Sequence, residues 1–383
     1  MLKNKFCPAP KKLIWFGPPF SYSGYATHNR FMLAGLENSG WEIKLIPTES
    51  EIPNNLFYID HLIEMIRNKN VEQDKAICIN LIPPPALAFW GLYTILYTTL
   101  ESKTVHEGFA NRCNQYDEVW VPCMDNITSM SPVINKKIPL CLVPEGVNTE
   151  IWNPKAGIIK KYKSPKFTFF YCGDWSYRKG NDILIKAFCK AFSPTEPVRL
   201  LLLTHYQGNG PEVTKKAVDR EILEMMQKNK TISHAEIEII YQHIDDTDLP
   251  KLFNTVDCGI FPTRGEAWLL PAIQLMSCGK PVITSDWGGQ TDYCNKKNSY
   301  LIKTEKFDTM SDKINCEVDF YKEQLFAFPD EAETIKLLQY AYQHRDETIK
   351  KGLQAQKDVR ENWTWTQAAQ RADKRLTEIL KKL

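Results

Sequence analysis

The residues best suited to chemistry lie where apolar runs give way to loops. In IFPTRGEAWLLPAIQLMSCGKPVITSDWGGQTDY, residues 260–293, Glu266 sits between a strand-like run and a helical pattern. A carboxylate at that position can accept hydrogen bonds from hydroxyls. Leu270, Ile273 and Met276 give the following helix an apolar face. Cys278 and Gly279 end it, and Gly288-Gly289 forms the loop after the next strand. In KFTFFYCGDWSYRKGNDILIKAF a buried run ends at Cys172-Gly173, and Arg178-Lys179 precede a helix starting near Asn181. Arg grips phosphate oxygens in pairs and Lys adds a point charge, so this loop suits a diphosphate. In the first loop, Ser23-Gly24 precedes a helix from about Tyr25, and free N–H groups there favour an anion. The run YTILYTTLE ends at Glu101, a carboxylate expected at the cleft, with His106 and Glu107 close behind. The plainer reading of that stretch is a capped helix start. His28 and Asn29, on the first helix, read as packing or solvent-facing residues.

These loops need elements to hold them. Six short apolar runs occupy the first half: KKLIWFG, WEIKLIP, KAICINLI, YTILYTTLE, DEVWVPC and PLCLVPEG. Six more occupy the second: KFTFFYCG, VRLLLLTHY, IEIIYQHI, VDCGIFPT, KPVITSD and SYLIKT. Continuous rather than alternating apolar runs suit strands covered on both faces, and the helical patterns between them imply parallel sheets. Two doubly wound α/β domains are therefore expected, over 1–155 and 156–362, with a final helix over 363–383. The polar, basic, proline-containing stretch between Val147 and Lys166 suits a linker. FPDEAETIKLLQYAYQHRDETIKKGLQAQKDV reads as helical, as does the tail that follows it. Open parallel sheets bind ligands at the carboxyl ends of their strands, so two of them face a cleft.

Composition narrows the class. The chain has 383 residues, 43% hydrophobic and 25% charged, enough apolar material for two cores. With 48 basic and 46 acidic residues the net charge is +2, which gives no reason to expect a nucleic-acid partner. No apolar run reaches the ~18 residues of a membrane span. The four lysines Lys3, Lys5, Lys11 and Lys12 leave peripheral membrane contact open without establishing it. The LIWF run is too short for a secretory core, so a cytoplasmic protein is expected and the sequons at Asn126, Asn229 and Asn362 read as chance. The 11 cysteines are odd in number and scattered, with no CxxC pair; Cys78 and Cys172 read as small apolar side chains.

The 260–293 stretch resembles the retaining glycosyltransferases of the GT-B fold (glycosyl transferases group 1, with a paired-glutamate motif). The resemblance rests on Arg264, Glu266, Trp268, Leu270, Pro271, Met276, Cys278, Gly279, Pro281, Val282, Ile283, Ser285, Asp286, Gly288 and Gly289. Gly146-Val147-Asn148, Arg178-Lys179-Gly180, YTTLES, DEVWVPC and FPDEAE extend it along nearly the whole chain.

The resemblance implies two Rossmann-like domains, with the last helix returning to the first, and sugar transfer from a nucleoside diphosphate donor. It gives Glu266 the donor sugar's hydroxyls. The main chain of Ala267, Trp268, Leu269 and Leu270 approaches sugar and diphosphate, and Lys179 takes the diphosphate. His243 and Ile244 lie where the base is met, and Gly24, with Gly173 at the end of its strand, would line the phosphate site. The acceptor is a hydroxyl of a glycan, lipid, protein or small molecule. Two positions depart from the pattern. The second glutamate, which takes the ribose, is Gln274, with one carbonyl acceptor and no charge. The arginine after the strand-ending glycine is Asp174, so Arg178 has to serve from the loop. These departures motivate a rival reading, a non-catalytic relative that binds nucleotide sugar or acts as a scaffold; a second rival is a nucleotide-sugar epimerase. Asp246-x-Asp248 matches the metal-binding motif of the other glycosyltransferase fold, but aspartates before a helix suit capping, and the expectation is transfer without a metal or cofactor.

Overall fold

The computed structural model describes residues 10–52, 56–83, 88–206, 209–228, 233–310 and 321–383. Lys3, Lys5 and the Asn229 sequon fall outside them. All twelve apolar runs form strands. The first sheet holds β1 (Lys12–Gly17), β2 (Glu42–Pro47), β3 (Ile77–Leu81), β4 (Tyr93–Tyr97), β5 (Glu118–Val121) and β6 (Leu140–Leu142). Their order is β2-β1-β3-β4-β5-β6, every neighbour parallel. Around it run α1 (Gly24–Asn38), α2 (Ile59–Arg67), α3 (Glu107–Cys113) and α4 (Met124–Met130).

The second sheet holds β7 (Phe167–Asp174), β8 (Val198–His205), β9 (Glu236–Ile240), β10 (Cys258–Phe261), β11 (Val282–Ser285) and β12 (Tyr300–Ile302). Its order is β12-β11-β10-β7-β8-β9, again all parallel. Its helices are α5 (Asn181–Ala191), α6 (Pro211–Lys228), α7 (Leu249–Asn254) and α8 (Leu270–Ser277). Every residue of β3, β10 and β11 is buried, as strands covered on both faces must be. In each sheet the chain reverses its direction of travel once, between β1 and β3 in the first and between β7 and β10 in the second. Loops diverge at such a point and leave a crevice.

Two features differ from expectation. A small antiparallel sheet, β13 (Thr304–Thr309) with β14 (Leu325–Pro329), follows β12. Phe328-Pro329 therefore closes a strand, and α9 (Glu331–Gln343) starts only after Asp330, whose side chain accepts from the Glu333 N–H. The helical tail also breaks at His344 into α9 and α10 (Arg345–Asn362).

The last helix, α11 (Trp365–Leu380), opens with a capping box between Thr364 and Gln367 and returns to the first domain. Its Ala369 packs so closely on Gly35 of α1 that a Cβ there would lie 2.4 Å from the alanine's own. Arg375 forks onto Glu118 at 2.8 and 2.6 Å, and Glu118 is fully buried. Asp373 accepts from Lys11 and Trp41, both at 2.7 Å. Between the sheets, two short 3₁₀ turns, Pro154–Ala156 and Lys160–Tyr162, occupy the expected linker. Among the described residues no helix is long and apolar enough to cross a membrane.

Candidate active site

The cluster begins with two glycines. Gly180 has φ +75°, and a Cβ there would lie 1.8 Å from the Pro262 carbonyl oxygen. Only glycine lets the loop after β7 pack this tightly on the end of β10. The two loops are stitched by the Arg264 N–H donating to the Arg178 carbonyl at 2.8 Å. Gly265 makes a second close approach, this time between domains. A Cβ there would lie 2.0 Å from the carbonyl oxygen of Glu101. The Glu266 loop therefore lies directly against the first domain.

Arg264 carries the framework. It is buried, forks onto Asp182 of α5 at 2.8 and 3.0 Å, and lies 3.6 Å over the Tyr177 ring. With Arg264 committed inward, Glu266 is free to face the cations. Its Oε1 is 2.6 Å from the Lys179 ammonium, 3.5 Å from the Arg178 guanidinium and 3.2 Å from the Thr263 hydroxyl. Burial raises the Glu266 pKa, but Lys179 and Arg178 outweigh it, and the carboxyl is held below its ordinary range. Arg178 also donates to the Gly265 carbonyl at 2.6 Å. Burial opposes its charge, yet Tyr321, Glu266, Glu101 and Asp174 together raise its pKa.

The loop after Glu266 is strained. Leu269 has φ 71° and ψ 65°, a left-handed conformation unusual for leucine. The Tyr293 hydroxyl, 2.7 and 2.9 Å from the carbonyls of Trp268 and Leu269, holds it. In a planar trans peptide the N–H lies opposite the carbonyl. The Leu269 and Leu270 N–H groups therefore face away from Tyr293, at the start of α8. Ala267 packs beneath Gly289, whose N–H donates to the Glu266 carbonyl at 2.8 Å. Gln274 is half-buried one turn into α8.

Other expected residues converge from both sides. A Cβ on Gly24, at the start of α1, would come 3.7 Å from the Leu270 side chain, so this glycine faces the loop from the other domain. Its helix is capped by Ser23, which accepts from the Ala26 N–H. His243, after β9, packs at a tilt against Tyr22 of the first loop with ring centroids 4.0 Å apart. Ile244 packs against the core. Gly173 is part of β7, its carbonyl accepting from Thr204 at 2.8 Å. Glu101 lies four residues beyond β4 rather than at its end, and its Oε2 accepts from the Tyr321 hydroxyl at 2.8 Å. Sequence reasoning missed Tyr321, because nothing in its neighbours marks it.

Several expectations change. His106 is the N-cap of α3, its Nδ1 accepting from the Gly108 N–H at 3.0 Å. The cap sets its ring at the helix start. Asp174 pairs with His205 at 3.1 Å at the carboxyl ends of β7 and β8, and of the two candidate positions it is Arg178 that meets Glu266. Asp248 stands at the N-cap of α7 without capping it; its carboxylate takes Lys251 at 2.7 Å instead. Asp246 pairs across the cleft with buried Arg30 at 3.3 Å. His28 and Asn29 are both buried: His28 lies 3.4 Å from Glu145, and Asn29 donates to the Tyr25 carbonyl at 2.7 Å and accepts from Trp15. Two open hollows of about 470 and 380 Å³ lie beside the crossing of the tail, lined by Asp292, Trp363 and Arg371. Neither includes a residue of the Glu266 cluster.

Residues 166–316 match the family model described as glycosyl transferases group 1. Among solved structures, the chain is similar to sucrose-phosphate synthase from Thermosynechococcus elongatus, with TM-score 0.70 and 14% identity over 97% of this chain and 100% of that one. A glycosyltransferase from Rickettsia africae ESF-5 gives TM-score 0.67 and 16% identity, over 97% and 100%. Anabaena Alr3699/HepE, solved with UDP and glucose, gives 0.65 and 11%, over 96% and 100%. Identities this low show the fold. No curated protein matches the sequence. The family match lies over the second domain and the fold match over nearly the whole chain: the chain has the GT-B fold, and its second domain is similar to the glycosyl transferases group 1 family.

Proposed function

We propose that the protein transfers a sugar from a nucleoside diphosphate donor to an acceptor hydroxyl, with retention of configuration and without a metal. The observation that carries this reading is the pairing of Glu266 with Lys179 and Arg178 at the crevice between β7 and β10. Without a ligand, Lys179 and Glu266 neutralise one another. An arriving diphosphate competes for Lys179 and Arg178, and Glu266 is released toward the sugar hydroxyls. The donor thus exchanges one set of charge-assisted hydrogen bonds for another, with little desolvation left to add.

In the transfer, the bond from the anomeric carbon to the diphosphate oxygen breaks and a bond to the acceptor oxygen forms. The acceptor proton passes to the leaving diphosphate. The protein's part is to position the reactants and to stabilise charge on the departing group. Lys179, Arg178 and the N–H groups of Leu269 and Leu270 supply that stabilisation. Ala267 and Trp268 hold the backbone approach, Gly24 and Gly173 leave room beside it, and Gln274 meets the ribose with a single carbonyl. His243 and Ile244 border the base, and Glu101 presents a carboxylate to a sugar hydroxyl from the first domain.

The test is release of nucleoside diphosphate from UDP-glucose, UDP-N-acetylglucosamine, GDP-mannose and ADP-glucose, with and without EDTA. UDP donors come first because the Anabaena structures were solved with UDP and UDP-glucose. Turnover of one donor, undiminished by EDTA, is expected. Tight binding of UDP, GDP or ADP with no turnover of any donor would favour a binding subunit, the reading that Gln274 and Asp174 motivate. Loss of turnover in EDTA, restored by Mn²⁺, would overturn the metal-free mechanism.

A further inference from the structure

The small sheet that follows β12 is an addition to the six-stranded core, and it reaches across the cleft. The Lys103 N–H donates to the Leu325 carbonyl at 2.7 Å, and the Leu325 N–H donates to the Thr104 hydroxyl at 2.9 Å. The Lys103 ammonium lies 3.7 Å over the ring of Phe307 in β13. The arm of β13 and β14 is thus docked on the loop of the first domain that carries Glu101. Just before β14, Tyr321 turns its hydroxyl onto Glu101 Oε2 at 2.8 Å, while its ring packs edge-on against Phe326. Gly265 packs directly on the Glu101 main chain. Glu101 is therefore held by its backbone against the Glu266 loop and by its carboxylate against the arm.

We infer that Tyr321 is a positioning residue for sugar transfer: by holding one oxygen of Glu101, it presents the other to a hydroxyl of the transferred sugar. The inference rests on the transferase reading. A glutamate on a loop has three free torsions, and a phenol donating to one oxygen fixes its plane. The arm supplies that donor only when it is docked on residues 103–104, so a complete Glu101 requires the two domains together. Neighbouring Arg178 lies close enough that Glu101 and Tyr321 both bear on its charge. Burial and the Glu101 carboxylate keep the Tyr321 phenol protonated, as a donor must be.

The experiment compares wild type, Tyr321→Phe, Glu101→Gln and the double variant on whichever of the four nucleotide sugars turns over. Tyr321→Phe keeps the ring against Phe326 and removes only the hydroxyl. Its kcat is expected to fall about tenfold, as for loss of a hydrogen bond to a charged group. UDP, GDP or ADP affinity is expected to stay within about twofold, since Lys179, Arg178 and Glu266 keep their mutual contacts, and the thermal midpoint is expected to fall by only a few degrees. The double variant is expected to lose no more than Glu101→Gln alone, the signature of a residue acting through its partner. Wild-type kcat in Tyr321→Phe overturns the inference and leaves the transferase reading standing. So do losses that multiply in the double variant. Absence of both nucleotide binding and turnover in the wild type overturns both.

Discussion

The two sheets are alike in strand number and direction, yet their crevices are furnished differently. In the second domain the loops beside the crevice, after β7 and β10, carry Arg178, Lys179 and Glu266, and the three meet within one domain. In the first domain the crevice lies between β1 and β3, but the carboxylate that faces the cluster, Glu101, comes from the loop after β4. Its partner, Tyr321, belongs to the other domain. One wall is built from neighbouring loops on a rigid core. The other is completed only by contact across the cleft. Under the proposed transfer, the first wall would seat the donor and the opposite wall would be completed across the cleft.

The largest effect is expected on the rigid wall. Lys179→Ala removes the ammonium proposed to stabilise the leaving diphosphate. Turnover should fall about 10²–10³-fold, the range for loss of one transition-state donor. The fold should hold, because Glu266 keeps Arg178 and the Thr263 hydroxyl as partners. Near-native turnover in a folded Lys179→Ala variant would break the comparison, since the wall of the first domain would then carry the chemistry.

The same contrast explains what could be read from the sequence. The second-domain site was legible because its residues fall within short stretches whose packing dictates type. Gly180 has to clear Pro262, Pro271 sits in the first turn of α8, and Gly288 takes φ +108°. All twelve core strands were legible for a similar reason: strands buried on both faces must be apolar throughout. The arm of β13 and β14 was not. TEKFDT has a single apolar residue, Phe307, and lies largely at the surface, so its pairing with LFAFP is set by register and not by composition. Tyr321 and Glu101 are 220 positions apart, and no local pattern joins them. His106 follows the plainer reading of its stretch: its ring caps a helix start.

A smaller effect would sharpen the description of the donor wall. Gln274 stands where the family pattern has a second glutamate. Gln274→Glu restores a charged acceptor for ribose hydroxyls, and exchanging a neutral for a charged hydrogen bond is worth about 1 kcal/mol. Affinity for the nucleoside diphosphate should rise about fivefold by calorimetric titration. Unchanged or weaker binding would show that Gln274 does not meet the ribose and that the wall ends at Glu266.

The smallest effect lies at the seam where the two walls touch. Asp125 of α4 accepts from the Gly288 N–H at 2.7 Å, and Asp292 accepts from the Met124 N–H at 3.1 Å, so each domain caps a turn of the other. No cation partners either carboxylate among the described residues. Burial pushes Asp292 up to about 6; the Met124 N–H partly offsets this, and Asp125 adds to it. The sign is opposite to that of Glu266, a buried carboxylate beside two cations. Unfolded, Asp292 titrates near the ordinary value of about 3.9. Between about pH 4 and pH 6 the folded protein therefore binds more protons than the unfolded chain, and this group's contribution to stability falls as pH rises. Above pH 6 the loss is complete. Because Asp292 is only partly buried, solvent screening limits the effect to about 1 kcal/mol. Asp292→Asn keeps an oxygen for the Met124 N–H and removes the titration. Its apparent thermal midpoint should match wild type near pH 4 and exceed it by about 2 °C at pH 7. An equal difference at both pH values would mean that the carboxylate is solvated and the seam is open in solution. A difference that grows with pH would place the Asp292 carboxylate in a closed seam, the contact on which the second wall depends.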